Sequence, residues 1–193
     1  MNLVDRVKKI IVQPKQEWRV IDGESYTVQD LYLHYVMILA AIPAVASFIG
    51  WSLVGIGAFG STFRVPIGAG VAHMVLGFLL SLGAVYVLAL IIDAFAPKFE
   101  GQKNFMQALK VAAFSSTASW LAGVFYVVPA LSILGLLGLY SLYILFVGLP
   151  ILMKTPEDKS LPYTVVVMVA VIVIVVVIRA VAALTIPGPV RGF

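Results

Sequence analysis

Residues 163–186 read YTVVVMVAVIVIVVVIRAVAALTI, an apolar run with one charged residue, Arg179. A helix of about 20 apolar residues crosses a hydrocarbon core about 30 Å thick. Strands or loops would leave backbone polar groups unsatisfied in lipid, so this run predicts a membrane-spanning helix. The composition agrees, with 62% hydrophobic and 11% charged residues, whereas soluble domains carry about 25% charged residues. The chain is therefore not a cytosolic enzyme.

Four further apolar runs of similar length precede this one, which predicts an all-α integral membrane protein with a bundle of five transmembrane helices and a short amphipathic N-terminal helix. The predicted spans are residues 31–58, 68–92, 106–128, 130–153 and 163–186. Residues 1–30 form a cytoplasmic amphipathic segment in this interpretation, residues 31–186 the transmembrane domain, and residues 187–193 an outer tail.

The basic residues indicate the orientation, because lysine and arginine concentrate on the cytoplasmic side of membrane proteins. Only Arg64, Arg179 and Arg191 of the 13 lysines and arginines fall on one side of the predicted spans. We therefore expect a cytoplasmic N-terminus and an outer C-terminus. Since the positive charge sorts by membrane side, the net charge of +4 does not indicate nucleic-acid binding.

The first residues suggest a helix with two different faces that ends before Pro14. Its apolar face holds Leu3, Val7, Ile10 and Ile11, and its charged face holds Asp5, Arg6, Lys8 and Lys9. One interpretation is a helix lying on the membrane surface, with Trp18 as an interfacial anchor. The alternative is a solvent-side helix packed on the cytoplasmic loops.

Small residues recur at helical spacing in the third and fourth predicted spans. They are Ala108, Ala112, Ser115 or Ser116, Ser119 and Gly123, followed by Ser132, Gly135, Gly138 and Ser141. The two spans are joined by a turn around Pro129, so they are expected to be antiparallel and closely packed. A water path along the polar face is the alternative, and Pro43 in the first span suits either packing or a kink.

Charged residues within the spans are the other candidate sites. His73 and Arg179 lie at similar depth near the outer side, where they predict a polar pocket or a lipid or anion contact. For Arg179 the alternatives are a snorkelling anchor and a residue on a transport path. At the inner edge, Asp93, Lys110 and Lys154 end or open consecutive spans, which favours charge pairing between them.

Several kinds of chemistry find no support in the sequence. No cysteine is present and the two histidines cannot form a metal cage, so neither a metal site nor a cofactor is expected. Residues 55–60 match the Gly-x-Gly-x-x-Gly dinucleotide pattern, but they close a membrane span instead of following a strand. No catalytic constellation is evident, and we expect the protein not to be an enzyme.

Three stretches resemble the bacterial branch of the Yip family of membrane-trafficking proteins. They are residues 14–21 (PKQEWRVI), 91–113 (IIDAFAPKFEGQKNFMQALKVAA) and 138–164 (GLYSLYILFVGLPILMKTPEDKSLPYT). The resemblance implies a five-helix protein of the bacterial cytoplasmic (inner) membrane that organises membranes or partners without known chemistry. Eukaryotic members carry Asp-Leu-Tyr-Gly-Pro before the first span, whereas Asp30-Leu31-Tyr32 is followed here by Leu33 and His34. GTPase binding therefore does not carry over.

These observations lead to two functional hypotheses. The first is a non-enzymatic membrane scaffold that contacts membrane lipids and other membrane or cytoplasmic proteins; homo-oligomerisation is left open. Its candidate contact residues are Lys8, Lys9, Trp18, Glu157, Asp158 and Lys159. The second is a transporter or channel for a small solute, ion or lipid, with a path along Pro43, span three, His73 and Arg179.

Overall fold

The computed structural model describes residues 2–58 and 61–183 of the chain. Two short helices come first, α1 (Leu3–Val12) and α2 (Pro14–Gly23). Five helical segments long and apolar enough to cross a membrane follow, which confirms the predicted helical bundle of five spans. These spans, numbered one to five, are Val28–Val54, Ile67–Phe99, Phe105–Val127, Pro129–Met153 and Glu157–Ala183.

Most spans combine α-helix with a tighter or a wider helical turn. Span one contains α3 (Val28–Leu31), a π-helix (Tyr32–Val36), α4 (Met37–Phe48) and a second π-helix (Ile49–Val54). Span two is α5 (Ile67–Phe95) with a 3₁₀ turn (Ala96–Phe99). Span three consists of α6 (Phe105–Ser115), α7 (Thr117–Ala122) and a 3₁₀ turn (Gly123–Val127). Span four is a 3₁₀ helix (Pro129–Leu139) and α8 (Tyr140–Met153), and span five is α9 (Glu157–Ala183).

The span boundaries follow local signals that hydropathy alone does not report. Span one begins at Val28 because Thr27 caps it, accepting a hydrogen bond from the Asp30 backbone N–H at 3.0 Å. It ends at Gly55, whose φ of 83° suits glycine and turns the chain. Span five begins at Glu157, six residues before the prediction. Residues 184–186 of that predicted span and the predicted tail lie outside the described residues.

A short antiparallel β-hairpin connects spans one and two. Its first strand takes up residues 56–58, which the sequence predicted as part of the first span. Strand β1 (Ile56–Ala58) pairs with β2 (Ser61–Phe63), with Ile56 opposite Phe63 and Ala58 opposite Ser61. We call this end of the bundle the hairpin end. The opposite end, where α1, α2 and the 100–104 and 154–156 connections lie, is called the cap end.

The core of the bundle lies toward the cap end. Span three is its centre: 72% of its most apolar window is buried, against 11–33% for the other spans. Every residue from Ala108 to Ser115 is buried, whereas Val169, Val173 and Val177 of span five are exposed. The exposed apolar residues at the hairpin end suit contact with lipid, where apolar surface carries no penalty.

Small residues bring the helices together at the hairpin end, as the sequence predicted. A Cβ at Gly138 would lie 3.0 Å from the Ser119 Cα, and the Ser119 and Ser141 hydroxyls are hydrogen-bonded at 3.1 Å. Gly123 of span three lies against Pro43 of span one. A Cβ added at Gly123 would overlap the proline ring, so glycine is needed for this contact. Spans three and four are therefore a closely packed antiparallel pair, and Pro43 serves packing.

Candidate functional site: the docked N-terminal helices

The two N-terminal helices form a tight helical hairpin. The Asn2 side chain caps α1, accepting a hydrogen bond from the Val4 backbone N–H at 3.1 Å. Gln13 separates the helices, and Pro14 opens α2 at a position where its missing N–H costs nothing. The sequence predicted α1, but α2 was not predicted. Whether α1 also touches a membrane surface stays a prediction.

Helix α2 lies along α8 of span four. Three polar contacts join the N-terminal hairpin to span four and the residue after it, in the same sequence order on both sides: Tyr140 Oη donates to the Ile11 carbonyl of α1 at 2.9 Å, Trp18 Nε1 donates to the Ile144 carbonyl at 3.0 Å, and Lys154 pairs with Asp22. The N-terminal hairpin therefore packs beside a membrane span, with its turn near the start of α8 and its end at the cap end.

Trp18 is the main anchor of this packing. Its side chain is 0% exposed, it lies against Gly148, and its ring meets Phe114 edge-on at a centroid distance of 6.2 Å. A Cβ at Gly148 would overlap the indole ring, so glycine is what makes room for it. The prediction that Trp18 is an interfacial anchor and a contact residue for partners or lipid is therefore wrong, because the structure buries it completely.

Arg6 is the second correction, because it lies on the buried side of α1 instead of the predicted charged face. Its side chain is 5% exposed, and it pairs with Glu17 and with both carboxylate oxygens of Glu24 at 2.5 Å. Tyr26 Oη donates to Glu24 at 2.6 Å, and the guanidinium lies 5.7 Å from the Phe114 ring centre. The two negative charges meet the requirement that a buried cation be paired.

The ionisation of this cluster follows from its contacts. Burial works toward a higher pKa for the Glu24 carboxyl, but hydrogen bonds from Tyr26 and Arg6 outweigh it, so its pKa lies below the ordinary value of 4.5. Desolvation also opposes the charge on Arg6, yet the hydrogen bond to Glu24 raises the guanidinium pKa. Burial and the bond to Glu24 raise the pKa of Tyr26, which keeps this phenol neutral.

The predicted inner cluster of Asp93, Lys110 and Lys154 does not form. Lys110, 2% exposed, donates to the Ile21 and Glu24 carbonyls at 2.8 and 2.9 Å, so it caps the end of α2. Lys154 pairs with Asp22, as described above. Within the described residues, the buried Oδ1 of Asp93 has no hydrogen-bond partner. The two lysines thus hold the N-terminal hairpin instead of pairing with span two.

The other predicted contact residues remain on the surface of the cap end. Lys8, Lys9, Glu157 and Asp158 are exposed. Lys159 lies 3.6 Å from Asp158 and 3.9 Å from Glu100, which links the two connections at this end. The Gln102 backbone N–H donates to the Met153 carbonyl at 2.7 Å and ties the same connections together.

The predicted outer pair of His73 and Arg179 is not joined in a common pocket. His73 lines a small cavity between spans one and two, together with residues that include Ser47, Ser52 and Trp51. Arg179 is exposed on span five and does not line this cavity. Across residues 2–58 and 61–183, no group of three or more histidines, aspartates or glutamates is placed to hold a metal ion.

Five apolar spans, with an internally paired N-terminal hairpin docked against them, define a multi-spanning integral membrane protein. A family model described as Yip1 domain matches residues 8–178, and the chain belongs to this family. It is similar to the protein named "Inner membrane protein YohC" in two Escherichia coli strains, K12 and O6:H1, with 27% identity over 117 residues. The match spans 60% of this chain and 60% of those relatives. No solved structure matches.

Proposed function

We propose that this protein is a non-enzymatic scaffold of the inner membrane, with its cap end in the cytoplasm and its hairpin end outside. The family and the name of its relatives support an inner-membrane location. The excess of lysine and arginine at the cap end supports the orientation. The scaffold presents the charged surface of the cap end to a cytoplasmic or membrane protein.

One observation carries this proposal. The polar contacts described above fix α1, α2 and the two connections against the bundle, while Lys8, Lys9, Glu157 and Asp158 stay exposed at the same end. A rigid charged surface loses little conformational entropy when a partner binds it. The contacts thus favour recognition by a preformed surface.

The transport hypothesis receives less support from the same contacts. The hydroxyls of span three, which would line a water path, already have protein partners: Ser116 donates to the Ala112 carbonyl of the same span at 2.8 Å, and Thr117 donates to the Phe114 carbonyl of the same span at 2.6 Å. Ser119 bonds to Ser141 of span four. These groups are therefore committed to helix contacts.

The test is native mass spectrometry of the protein released gently from its own membrane. We expect a polypeptide bound at fixed stoichiometry, and we expect Glu157→Gln/Asp158→Asn to lose it. Arg64→Gln, which changes an exposed charge at the hairpin end, is the control and should retain the polypeptide. A protein released without any such polypeptide, or with one that both variants retain equally, contradicts the proposal.

A further inference from the structure

We propose that the outward face of α1 and α2 binds the headgroups of anionic phospholipids in the membrane leaflet at the cap end. This inference deepens the proposed function and rests on it, since it assigns a lipid class to one surface of the scaffold. We call this surface the cationic face: Val4, Lys8, Lys9, Val12, Lys15, Arg19 and Val20.

The distribution of residues around α1 is the first argument. At about 100° per residue, Val4, Lys8 and Val12 fall on one side of the helix and Arg6 on the other. Val4 is 71% exposed and Val12 65% exposed, whereas Arg6 is 5% exposed. Exposed valines beside lysines are the pattern expected of a helix at a lipid interface, where the valines contact acyl chains and the lysines contact headgroups.

Helix α2 continues the same pattern. Lys15 and Arg19 are exposed and four residues apart, so they are neighbours on one helical face. Val20, beside Arg19 in the sequence, is 51% exposed. Two cations at this spacing suit a phosphate group, which accepts hydrogen bonds from both a guanidinium and an ammonium.

The net charge on the exposed surface of α1 and α2 is the second argument. Its exposed residues include four cations and one carboxylate, Asp5, which leaves three positive charges. The other carboxylates turn inward: Glu17 and Glu24 pair with Arg6, and Asp22 pairs with Lys154. Because Glu17, Asp22 and Glu24 are already paired with cations, the exposed surface of α1 and α2 keeps an excess of positive charge, which is complementary to an anionic surface.

The position of the N-terminal helical hairpin, formed by α1 and α2, beside span four is the third argument. Between Tyr140 and Lys154, α8 rises about 21 Å at 1.5 Å per residue, and the hairpin contacts it at Tyr140, Ile144 and Lys154. The whole of span four, at about 2.0 Å per residue in its 3₁₀ part, is about 43 Å long and exceeds a hydrocarbon core of about 30 Å. At most about 13 Å of the span therefore lies outside the hydrocarbon core at the cap end, which places the part of the N-terminal hairpin beside Asp22 and Lys154 at the level of the headgroups.

The experiment titrates the purified full-length protein in detergent with phosphatidylglycerol or phosphatidylcholine and counts bound lipids by native mass spectrometry. Lys8→Gln/Lys9→Gln and Lys15→Gln/Arg19→Gln each remove two cations from the cationic face. Lys98→Gln/Lys103→Gln removes two exposed cations at the same end of the bundle and is the matched control. Unchanged fluorescence of Trp18 in variants lacking the other two tryptophans verifies that the hairpin stays docked.

We expect the parent protein to prefer phosphatidylglycerol, and each face variant to bind it roughly 25-fold more weakly, about fivefold for each cation removed. The control should bind as the parent does.

Equal binding of the two lipids, or an equal loss in the control, overturns the inference. If the face variants instead lose a bound polypeptide and retain lipid, the face belongs to a protein partner, so this inference fails while the scaffold proposal stands. A lipid preference without any bound polypeptide contradicts the scaffold proposal alone.

Discussion

Gly148 shows how a single missing side chain positions the N-terminal helices. It lies inside α8 and is buried beneath the Trp18 indole, whose N–H reaches the Ile144 carbonyl one turn away. A glycine within a helix costs up to about 1 kcal/mol relative to alanine. Here that cost is offset by the burial of a whole tryptophan side chain, which removes a large apolar area from contact with water or lipid headgroups.

The replacement Gly148→Ala should release the tryptophan from this position. The added Cβ overlaps the ring, and overpacking of this kind costs typically 1–3 kcal/mol. We expect a lower thermal unfolding midpoint in detergent and greater quenching of Trp18 fluorescence by acrylamide, measured in a background with Trp51→Phe and Trp120→Phe.

Gly83→Ala is the matched control for this experiment. Gly83 also lies inside a span, but nothing comes within 4 Å of a Cβ built there, so alanine should leave stability unchanged or raise it slightly. If Gly148→Ala behaved as Gly83→Ala does, the position of Trp18 against α8 would be wrong.

The surroundings of tryptophan and lysine side chains near the ends of the spans were the hardest feature to predict. A tryptophan near an apolar span suits either the interface or a buried site with a hydrogen-bond acceptor, because the indole has one polar atom in both cases. Only the fold places the Ile144 carbonyl next to Trp18, from 126 residues away. The same holds for Lys110, whose acceptors lie on α2 and not on a neighbouring span.

At the scale of elements, the N-terminal hairpin is held by charges that respond to pH. The pKa of Glu24 is lower in the folded protein than its ordinary value of 4.5. Its contribution to docking is therefore fully present above about pH 4.5 and is lost as the pH falls through the lower, folded value. Acid should weaken the contact between Arg6 of α1 and Glu24, which directly follows α2, and thereby loosen the N-terminal hairpin.

We expect acrylamide quenching of Trp18, in the same single-tryptophan background, to rise as the pH is lowered below about 4.5. Glu24→Gln cannot ionise, so it should remove that part of the pH dependence while showing more quenching than the parent at neutral pH. A parent and variant with superimposable pH profiles would exclude Glu24 as the responsible group.

The elements differ in how far the sequence could specify them. The five spans were predicted because long apolar runs in lipid admit few structures other than helices. The packing of spans three and four was also predicted, from Ser119, Gly138 and Ser141. Helix α2 was not, because its short sequence of charged and apolar residues gives a weak signal and its stability comes from docking to α8.

At the scale of the whole molecule, the two ends of the bundle are packed differently. The cap end holds the buried core and most of the charged residues, and the hairpin end exposes apolar side chains around glycine contacts. An uneven distribution of this kind suits a protein whose rigid part faces the cytoplasm, as proposed above.

The orientation is testable because the chain has no cysteine, so each introduced cysteine labels without background. We expect Gln102→Cys, in the exposed connection at the cap end, to react with a membrane-impermeant maleimide only in inverted vesicles. Arg64→Cys at the hairpin end should react from the outside of intact cells. The reverse pattern would invert the proposed topology.

The contact between Trp18 and α8 also sets an order of events during biosynthesis. The tryptophan leaves the ribosome 126 residues before its acceptor at Ile144, a delay of roughly 6–25 s at about 5–20 residues per second. During that interval the Trp18 N–H has no acceptor on span four, and Arg6 lacks its contact with the Phe114 ring until span three has been translated. The helices α1 and α2 can therefore dock in their final position only after the fourth span has been translated.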